Sequence, residues 1–242
     1  MYLIFDCYGT LVEMDNFYGR LTSGFARLGQ SLPSEAIRCA AHSEMRHYMS
    51  RARHAVDPAS FASIRQECAN VLSAALAAQG YRLPLSQAAV AQVLFDAVAF
   101  RPFVEVRQTL EELRRRGFRL GVLSNWDFRL PYELETLRLG HLFDFVLTSA
   151  GLGFEKPDRG FFDAGLRTAQ FFEPEVTARD CHYIGDHFEK DVLGARGAGM
   201  SPLWLVRDRR DLTSGEIHDC ADPVPRLGSL CELLNLFPVQ SR

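Results

Sequence analysis

The chain has 242 residues, of which 47% are hydrophobic, and it carries 27 lysines and arginines against 30 aspartates and glutamates. A chain of this length and composition buries one substantial core, or one core and a smaller satellite domain. Because its charges nearly cancel, it has no broad positive field for a nucleic-acid backbone, and we predict no nucleic-acid partner.

Short apolar runs mark the predicted strands, and amphipathic runs mark the predicted helices of the same region. The strands are residues 2–5, 120–123, 143–147, 182–184 and 202–206, and the helices are 105–116, 131–138, 159–169 and 189–198. Several of these strands are nearly continuous apolar runs that end at polar residues, which is typical of strands buried on both faces of a parallel sheet. The alternation of strand and helix predicts a doubly wound α/β fold with a parallel sheet.

One interval, residues 15–99, interrupts this alternation because it contains no convincing strand. Its features are the amphipathic runs 34–53 and 59–79 and the turn signals at 57–58 and 80–81. We therefore predict an all-helical domain over 15–99, inserted into an α/β core domain formed by 1–14 and 100–242. One last helix is predicted from Leu230 to Leu236, where Pro238 stops it.

Chemically capable side chains follow four of the predicted strands. In strand order they are Asp6 and Thr10, then Ser124 and Asn125, then Lys156, and finally Asp186 and Asp191. In open α/β sheets, ligands bind outside the carboxyl ends of the strands. We therefore expect these residues to form one site at that edge of the sheet.

The sequence blocks around these residues resemble the four motifs of the haloacid dehalogenase superfamily of hydrolases. The blocks are FDCYGTL, VLSNWD, FEKPDRGFF and YIGDHFEKDVLGARGAGM. They occur in the order that the superfamily has, and the resemblance covers essentially the whole chain. It implies a Rossmann-like core, and a helical cap domain over 15–99, as in subfamily I of that superfamily. Residues 119–200 resemble one branch of the superfamily in particular.

Two residues are predicted to be catalytic. Asp6 is the predicted nucleophile, since a carboxylate can attack in line and form a covalent ester or acyl phosphate that water then hydrolyses. The alternative is a strand-end aspartate that caps the following turn. For Lys156, the resemblance implies that the ammonium neutralises the nucleophile and the transferring group, whereas a lone lysine is usually a solvated surface charge.

A second set of residues is predicted to bind the substrate or its phosphate. Hydroxyls and backbone N–H groups in turns can converge on an anion. The set consists of Thr10, Ser124, Asn125, Tyr8 and Gly9. The alternative for the two hydroxyls is helix N-capping, which serine and threonine perform routinely.

The acidic residues at the strand ends predict a Mg²⁺ site. Asp186 and Asp191 can address one hard cation together with Asp6 and the backbone carbonyl of Tyr8, directly or through water. Three acids at neighbouring strand ends would repel one another without a cation. The alternative is that Asp191 only favours a helix N-terminus electrostatically.

Tyr8 disagrees with the acidic motif. In the phosphatases that the chain resembles, the residue two positions after the nucleophile is usually a second aspartate, which protonates the leaving oxygen and then activates water. A tyrosine with a pKa of about 10 is a poor general base at neutral pH. The DxYGT form of the first motif resembles instead the 2-haloacid dehalogenases, whose leaving halide needs no proton and whose chemistry needs no metal.

Three functions therefore stay open, and one is preferred. The preferred prediction is a magnesium-dependent phosphatase that acts on a small phosphorylated metabolite through an aspartyl-phosphate intermediate, because Asp186 has little purpose without a metal. The first alternative is a metal-independent 2-haloacid dehalogenase-like hydrolase with an aspartyl ester, in which an arginine such as Arg38, Arg46 or Arg51 binds the substrate. The second is a binding or regulatory module whose catalytic machinery has decayed at Tyr8.

Composition also bounds the location and the partners. The six cysteines are scattered without CxxC spacing, so we predict reduced thiols in a cytoplasmic protein. They are Cys7, Cys39, Cys68, Cys181, Cys220 and Cys231. The apolar runs are too short to span a bilayer, and no leader pattern precedes Asp6, so membrane insertion and secretion are disfavoured. The predicted partner is a small anionic metabolite, with a monomer or homodimer as the assembly.

Overall fold

The chain forms two compact units. The computed structural model describes residues 1–207 and 224–238. The core unit consists of Met1–Glu13 and Pro102–Arg242, and the helical unit consists of Met14–Arg101. The unit bounds therefore lie at 13/14 and 101/102, whereas the sequence predicts domain bounds at 14/15 and 99/100.

A six-stranded parallel sheet forms the centre of the core unit. In chain order, the strands of the described residues are β1 Tyr2–Phe5, β2 Val12–Met14, β3 Phe100–Pro102, β4 Arg119–Ser124, β5 Phe145–Thr148, β6 Cys181–Gly185, β7 Ser201–Leu205 and β8 Arg226–Leu227. The large sheet has the order β5-β4-β1-β6-β7-β8, with parallel neighbours, and β2 and β3 form a separate two-stranded sheet. The predicted doubly wound α/β fold is confirmed. Because the strand order reverses beside β1, its carboxyl end lies at the topological switch point, where ligands bind in such sheets.

Helices accompany the strands in both units. In the helical unit they are α1 Phe17–Arg27, α2 Ser34–Arg51, α3 Pro58–Ala78 and α4 Gln87–Ala97. In the described part of the core unit they are α5 Val106–Arg115, α6 Leu130–Thr136, α7 Ser149–Leu152, α8 Arg159–Phe172, α9 Gly194–Gly197 and α10 Leu233–Leu236. The predicted strands and helices of the core unit each overlap one of these elements, except that the helix predicted over 189–198 is divided.

That divided helix carries a π-helical turn. Phe188–Leu193 form the π turn, and α9 follows it directly. A π turn accommodates one more residue per turn than an α-helix, and such turns occur frequently at functional sites. Asp191 lies within this turn and is buried. The irregular turn therefore determines where a predicted metal ligand is presented.

The central strand β1 is buried along its whole length. Tyr2, Leu3, Ile4 and Phe5 are all inaccessible to solvent, because β4 and β6 pair with β1 on its two sides and apolar side chains cover its faces. Burial of one large apolar side chain stabilises a fold by about 1.5 to 3 kcal/mol. The residue that follows this strand is Asp6, so the predicted nucleophile starts from a rigid part of the core.

The last described segment packs as a helix, as predicted for 230–236. It begins with a 3-10 turn, Leu230–Glu232, and continues as α10. Ser229 and Glu232 form a capping box at its start, which satisfies two N–H groups that have no helical acceptor. The guanidinium of Arg116 donates to the carbonyls of Leu234 and Phe237 near the end of α10.

The helices and the cysteines of the described residues bear on the predictions of no membrane span and of reduced thiols. None of the helices in 1–207 and 224–238 combines the length and the apolar character that a membrane crossing requires. Five of the six cysteines are free thiols: Cys7, Cys39, Cys68, Cys181 and Cys231. Cys220 lies outside the described residues.

The helical unit contains a buried carboxyl group between α2 and α3. Glu44 is only 7% exposed, and burial raises its pKa to about 7, a rise that the Cys68 thiol beside it only partly offsets. A folded-state pKa above the unfolded value means that the folded chain binds the extra proton. The contribution of Glu44 to the stability of the fold is therefore fully present below about pH 4.5, and it is lost as the pH rises through about 7.

We expect Glu44→Gln to remove this pH dependence. The rise in pKa from 4.5 to about 7 corresponds to roughly 3 kcal/mol, so the variant should exceed the wild type in stability by up to that amount at pH 8.5 and by little at pH 4.5. Thermal unfolding of both proteins across this range measures it. Glu35→Gln, at an exposed position of the same helix, is the control. Parallel pH profiles for wild type and Glu44→Gln would contradict the expectation.

Candidate active site

The loop after β1 presents Asp6. Its N–H donates to the Ile184 carbonyl at 2.8 Å, which continues the pairing of β1 with β6, and its side chain is buried. The chain then turns sharply, with Leu11 and Val12 both donating to the Cys7 carbonyl. Gly9 takes the positive φ of 87° that this turn requires, a conformation that side chains of L-residues disfavour.

Two donors meet on one oxygen of Asp6. The Ser124 hydroxyl, at the end of β4, donates to Oδ1 at 2.7 Å, and the Lys156 ammonium donates to the same oxygen at 2.6 Å. Among the described residues, no donor contacts Oδ2. The two oxygens of Asp6 therefore differ chemically, with one held by hydrogen bonds and the other available.

Lys156 is a buried cation between two carboxylates. Its Nζ donates to Oδ1 of Asp6 and to Oδ1 of Asp191, both at 2.6 Å. Burial alone would lower the lysine pKa, but the charges of Asp191 and Asp6 outweigh it and hold the pKa well above its ordinary value. Lys156 therefore stays protonated and serves as a fixed positive charge.

The main chain of Lys156 is held by Asn125. The carboxamide oxygen of Asn125 accepts from the Lys156 N–H at 2.8 Å, and its Nδ2 donates to the Lys156 carbonyl at 3.3 Å. The sequence predicts that the backbone N–H of Asn125 binds the substrate, which stays a prediction, while its side chain holds the lysine loop against the end of β4. Because Asn125 directly follows Ser124, these hydrogen bonds hold the main chain of Lys156 next to that of Ser124.

The three acidic residues of the predicted metal site lie together. One carboxylate oxygen from each of Asp6, Asp186 and Asp191 falls within 4.8 Å of the others, and we call these residues the acidic cluster. Burial raises the pKa of Asp191, although the Lys156 charge opposes this rise. Oδ2 of Asp191 accepts from the His187 N–H at 2.8 Å, and the indole of Trp204 donates to the Asp186 carbonyl at 3.0 Å.

Gly185 provides the room for this arrangement. A Cβ atom at position 185 would overlap the side chain of Asp191. Glycine is therefore required at the end of β6 by the close approach of the carboxylate rather than by an unusual backbone angle. The sequence Gly185-Asp186 predicts a strand end, and the structure shows in addition that a glycine is needed there to make room for the Asp191 side chain.

The remaining predicted residues lie on the loop after Asp6. The Thr10 hydroxyl is buried and has no hydrogen-bond partner among the described residues, while its carbonyl accepts from Arg207 at 2.9 Å. The Gly9 N–H donates to the Val12 carbonyl at 2.8 Å, so it is engaged within the loop. Tyr8 is partly exposed and forms an isolated bridge with Val12.

The assembled site can support covalent hydrolysis. It combines a buried carboxylate with one free oxygen, a fixed ammonium beside it and two further carboxylates able to hold a hard cation. A family model of haloacid dehalogenase-like hydrolases matches residues 1–199. The chain belongs to the haloacid dehalogenase-like hydrolase family.

Relatives with assigned names match about half of this hydrolase. It is 42% identical over 130 residues to haloacid dehalogenase-like hydrolase domain-containing protein 3 of Bos taurus, covering 54% of this chain and 48% of that protein. It is 38% identical over 133 residues to the glyceraldehyde 3-phosphate phosphatase of Methanothermobacter thermautotrophicus, covering 53% of this chain and 55% of that protein. The chain thus spans about half the length of the curated relatives it matches.

Solved structures agree with this family's fold over nearly the whole chain. The magnesium-bound HAD hydrolase YfnB from Bacillus subtilis superposes with a TM-score of 0.68 at 20% identity, covering 98% of this chain and 97% of that one. The 2-haloacid dehalogenase from Pseudomonas syringae superposes with a TM-score of 0.60 at 26% identity, covering 97% and 96%. At 20% identity, the superposition on YfnB shows a shared fold and no more.

One polar residue beside this hydrolase's site was missed in the sequence. Tyr183 lies in the apolar run of β6, where a tyrosine reads as core packing. Its hydroxyl donates to the Leu123 carbonyl at 2.7 Å. The only available signal was the tyrosine itself, because a main-chain acceptor sixty residues away leaves no mark in the sequence.

Proposed function

We propose that this hydrolase is a magnesium-dependent phosphatase that acts on a small phosphorylated metabolite through an aspartyl-phosphate intermediate. The observation that carries the proposal is the acidic cluster, which brings Asp186 and Asp191 to the predicted nucleophile. The similarity of half the chain to a glyceraldehyde 3-phosphate phosphatase supports the same reaction class. The proposed substrate is a small anionic metabolite.

The residues present fit Mg²⁺. The acidic cluster supplies carboxylate oxygens, which Mg²⁺ prefers, and the Tyr8 carbonyl is the proposed additional ligand. When the three acids are ionised, the single charge of Lys156 leaves two negative charges uncompensated, which a divalent cation balances. When bound there, Mg²⁺ would neutralise charge on the phosphoryl oxygens.

The side chains of this chain divide the chemical work. Oδ2 of Asp6 attacks the phosphorus atom as the bond from phosphorus to the leaving oxygen breaks, while Ser124 and Lys156 hold Oδ1 and so fix the orientation of the carboxylate. Lys156 also offsets the negative charge that the transferring group brings into a buried site. Water then attacks the phosphorus of the aspartyl phosphate and restores Asp6.

Tyr8 limits the range of leaving groups. A tyrosine with an ordinary pKa of about 10 is a far weaker acid than a carboxyl group, so the leaving oxygen receives little help from this residue. The proposed substrates are therefore phosphates whose leaving groups are already stable as anions, such as acyl or aryl phosphates. This property distinguishes the chain from phosphatases with a second aspartate at that position.

The second candidate function is that of a 2-haloacid dehalogenase, and the tyrosine at position 8 favours it. A 2-haloacid dehalogenase releases halide, which needs no proton, and the chain superposes on such an enzyme at 26% identity. In the helical unit, however, two of the candidate arginines are engaged: Arg51 pairs with Glu67 at 3.2 Å, and Arg38 packs over the ring of Tyr18. We rank this reaction second because it gives Asp186 no role.

The proposal extends to the helical unit, the cellular compartment and the assembly of the enzyme. We propose that the helical unit is the cap that contributes substrate contacts, as in subfamily I. The free thiols of the described residues suit the reducing cytoplasm. The proposed assembly is a monomer or a homodimer, without nucleic-acid or membrane partners.

A paired assay tests the function. Purified protein is given an activated aryl phosphate and, separately, a short 2-haloacid, each with Mg²⁺ and with chelator, alongside Asp6→Asn. Phosphate release that needs Mg²⁺ and is lost in Asp6→Asn is the expected result. Halide release that persists in chelator would replace the phosphatase with the dehalogenase. A folded, metal-binding protein without either activity would instead be a binding module.

Gly185→Ala is expected to disable the metal site. The new Cβ would push the Asp191 carboxylate out of the acidic cluster, so we expect Mg²⁺ affinity to fall by about tenfold or more. Calorimetric titration with Mg²⁺ measures this. Gly197→Ala is the matched control, because a Cβ there meets open space and should leave Mg²⁺ affinity unchanged. Equal affinities for the two variants would contradict the expectation.

A further inference from the structure

Tyr183 is a buried polar residue that the mechanism above does not use. It is inaccessible to solvent, and its hydroxyl donates to the Leu123 carbonyl at 2.7 Å. Leu123 immediately precedes Ser124, the residue that donates to Asp6. A buried tyrosine hydroxyl usually finds a hydrogen-bond partner. Here that partner is the stretch of main chain that carries a site residue.

The ring of Tyr183 also faces the catalytic lysine. Nζ of Lys156 lies 5.6 Å from the ring centroid, which is within the range of a cation–π attraction. Phe162 packs edge-on against the same ring at 5.1 Å, and both rings belong to one cluster of buried apolar residues. Because cores are close-packed, the Tyr183 ring cannot shift without repacking its neighbours.

The hydroxyl has a fixed orientation. A carbonyl can only accept, so the single proton of the Tyr183 hydroxyl is directed at Leu123. Burial also raises the pKa of Tyr183 well above its ordinary value, so the hydroxyl retains that proton. The hydroxyl therefore stays a donor to the main chain of β4 near neutral pH.

Ser124 and Lys156 are the two groups that hold Oδ1 of Asp6. The Tyr183 hydroxyl binds the residue before Ser124, and its ring lies beside the Lys156 ammonium. We propose that Tyr183 is a positioning residue, which sets the Ser124 hydroxyl and the Lys156 ammonium on Oδ1 and so leaves Oδ2 free to attack. The proposal deepens the proposed function and rests on it for the role of Asp6 as nucleophile. Tyr183 itself does not touch the reacting atoms.

Tyr183→Phe tests the proposal, because it keeps the ring and removes only the hydroxyl. We expect kcat for an aryl phosphate with Mg²⁺ to fall by about tenfold, with KM changed less than about twofold, since small misplacements of site groups cost rate. In the Ser124→Ala background, Tyr183→Phe should cost clearly less than tenfold, because one of the two groups that it positions is absent. A full additional tenfold loss in that background would show a general structural role and overturn the proposal.

Tyr2→Phe is the matched control. Tyr2 is another fully buried tyrosine of the same cluster, at the amino end of β1, and its hydroxyl has no hydrogen-bond partner among the described residues. We expect its kcat to equal that of the wild type. A similar loss of kcat in both variants would assign the effect to core packing and overturn the proposal.

A crystal structure of Tyr183→Phe provides a readout that does not depend on activity. We expect the hydrogen bond between Ser124 Oγ and Asp6 Oδ1, 2.7 Å in the wild type, to be lost in the variant. An unchanged distance would overturn the proposal even if the wild type released no phosphate. Absence of phosphate release from the wild type, with the hydrogen bond lost in the variant, would refute the proposed function and leave the positioning role standing.

Discussion

Replacing Tyr8 by aspartate is expected to raise the hydrolysis of ordinary alkyl phosphate monoesters by about 10² to 10⁴. The new carboxyl group would protonate the leaving oxygen and then activate water, whereas a tyrosine is a weaker acid and a poor base near neutral pH. Aryl and acyl phosphates should gain much less, since their leaving groups depart readily as anions. Measured kcat/KM values for a series of phosphates of graded leaving-group pKa give the comparison.

Tyr8→Phe separates this effect from a change in shape. It removes the hydroxyl without adding an acid, so we expect both kinds of phosphate to react at about the wild-type rate. If Tyr8→Asp raised the rates of alkyl and aryl phosphates equally, the gain would come from binding or metal affinity rather than from proton transfer. If it raised neither, the leaving-group account of Tyr8 would be wrong.

Replacing Lys156 by methionine is expected to damage both catalysis and stability. We expect kcat to fall by about 10² to 10³, because a fixed charge beside the nucleophile is lost. Removal of one member of a buried ion pair also costs about 3 to 5 kcal/mol, since Asp6 and Asp191 are left buried without their cation. Aryl phosphate turnover and urea unfolding measure the two effects.

The stability loss in Lys156→Met should depend on pH in a defined direction. Burial already raises the pKa of Asp191, and removal of the lysine charge takes away the interaction that opposes this rise. The folded variant then binds a proton that the unfolded chain releases at its ordinary pKa of 3.8. The variant should therefore recover stability as the pH is lowered from neutral towards that value.

Lys190→Met is the control for the lysine experiment. Lys190 is adjacent to Asp191 in sequence but is partly exposed, so its loss should cost well under about 1 kcal/mol. A comparable loss of stability in both variants would indicate damage to the π-helical turn. A Lys156→Met protein whose stability did not change between pH 5 and pH 8 would contradict the account of the buried charges.

The strands that carry the site could be predicted because they are buried. β1, β4 and β6 are apolar runs that end at polar residues, and that boundary places Asp6, Ser124 and Asp186 at one edge. Short strands carry no such signal. β2 and β3 have three residues each, too few for a periodic pattern to distinguish them from a loop.

The finer features of the site could not be predicted, for physical reasons. A main-chain group looks the same at every position, so the contacts of Asn125 with Lys156 and of Tyr183 with Leu123 leave no trace in the sequence. The π turn that presents Asp191 differs from an α-helix only in its hydrogen bonds. Within the helical unit, Asn16 precedes α1 and is of a type that favours helix starts, but its side chain makes no capping hydrogen bond, so the residue type does not reveal this geometry.

The central position of β1 has a consequence for biosynthesis. Its residue Tyr2 pairs with Arg119 on one side and with Cys181 on the other, so both neighbours leave the ribosome long after it does. At about 5 to 20 residues per second, roughly 10 to 40 s separate β1 from β6. The helical unit, whose chain is continuous, can fold during that wait. The nucleophile is therefore made well before the strands that complete its surroundings.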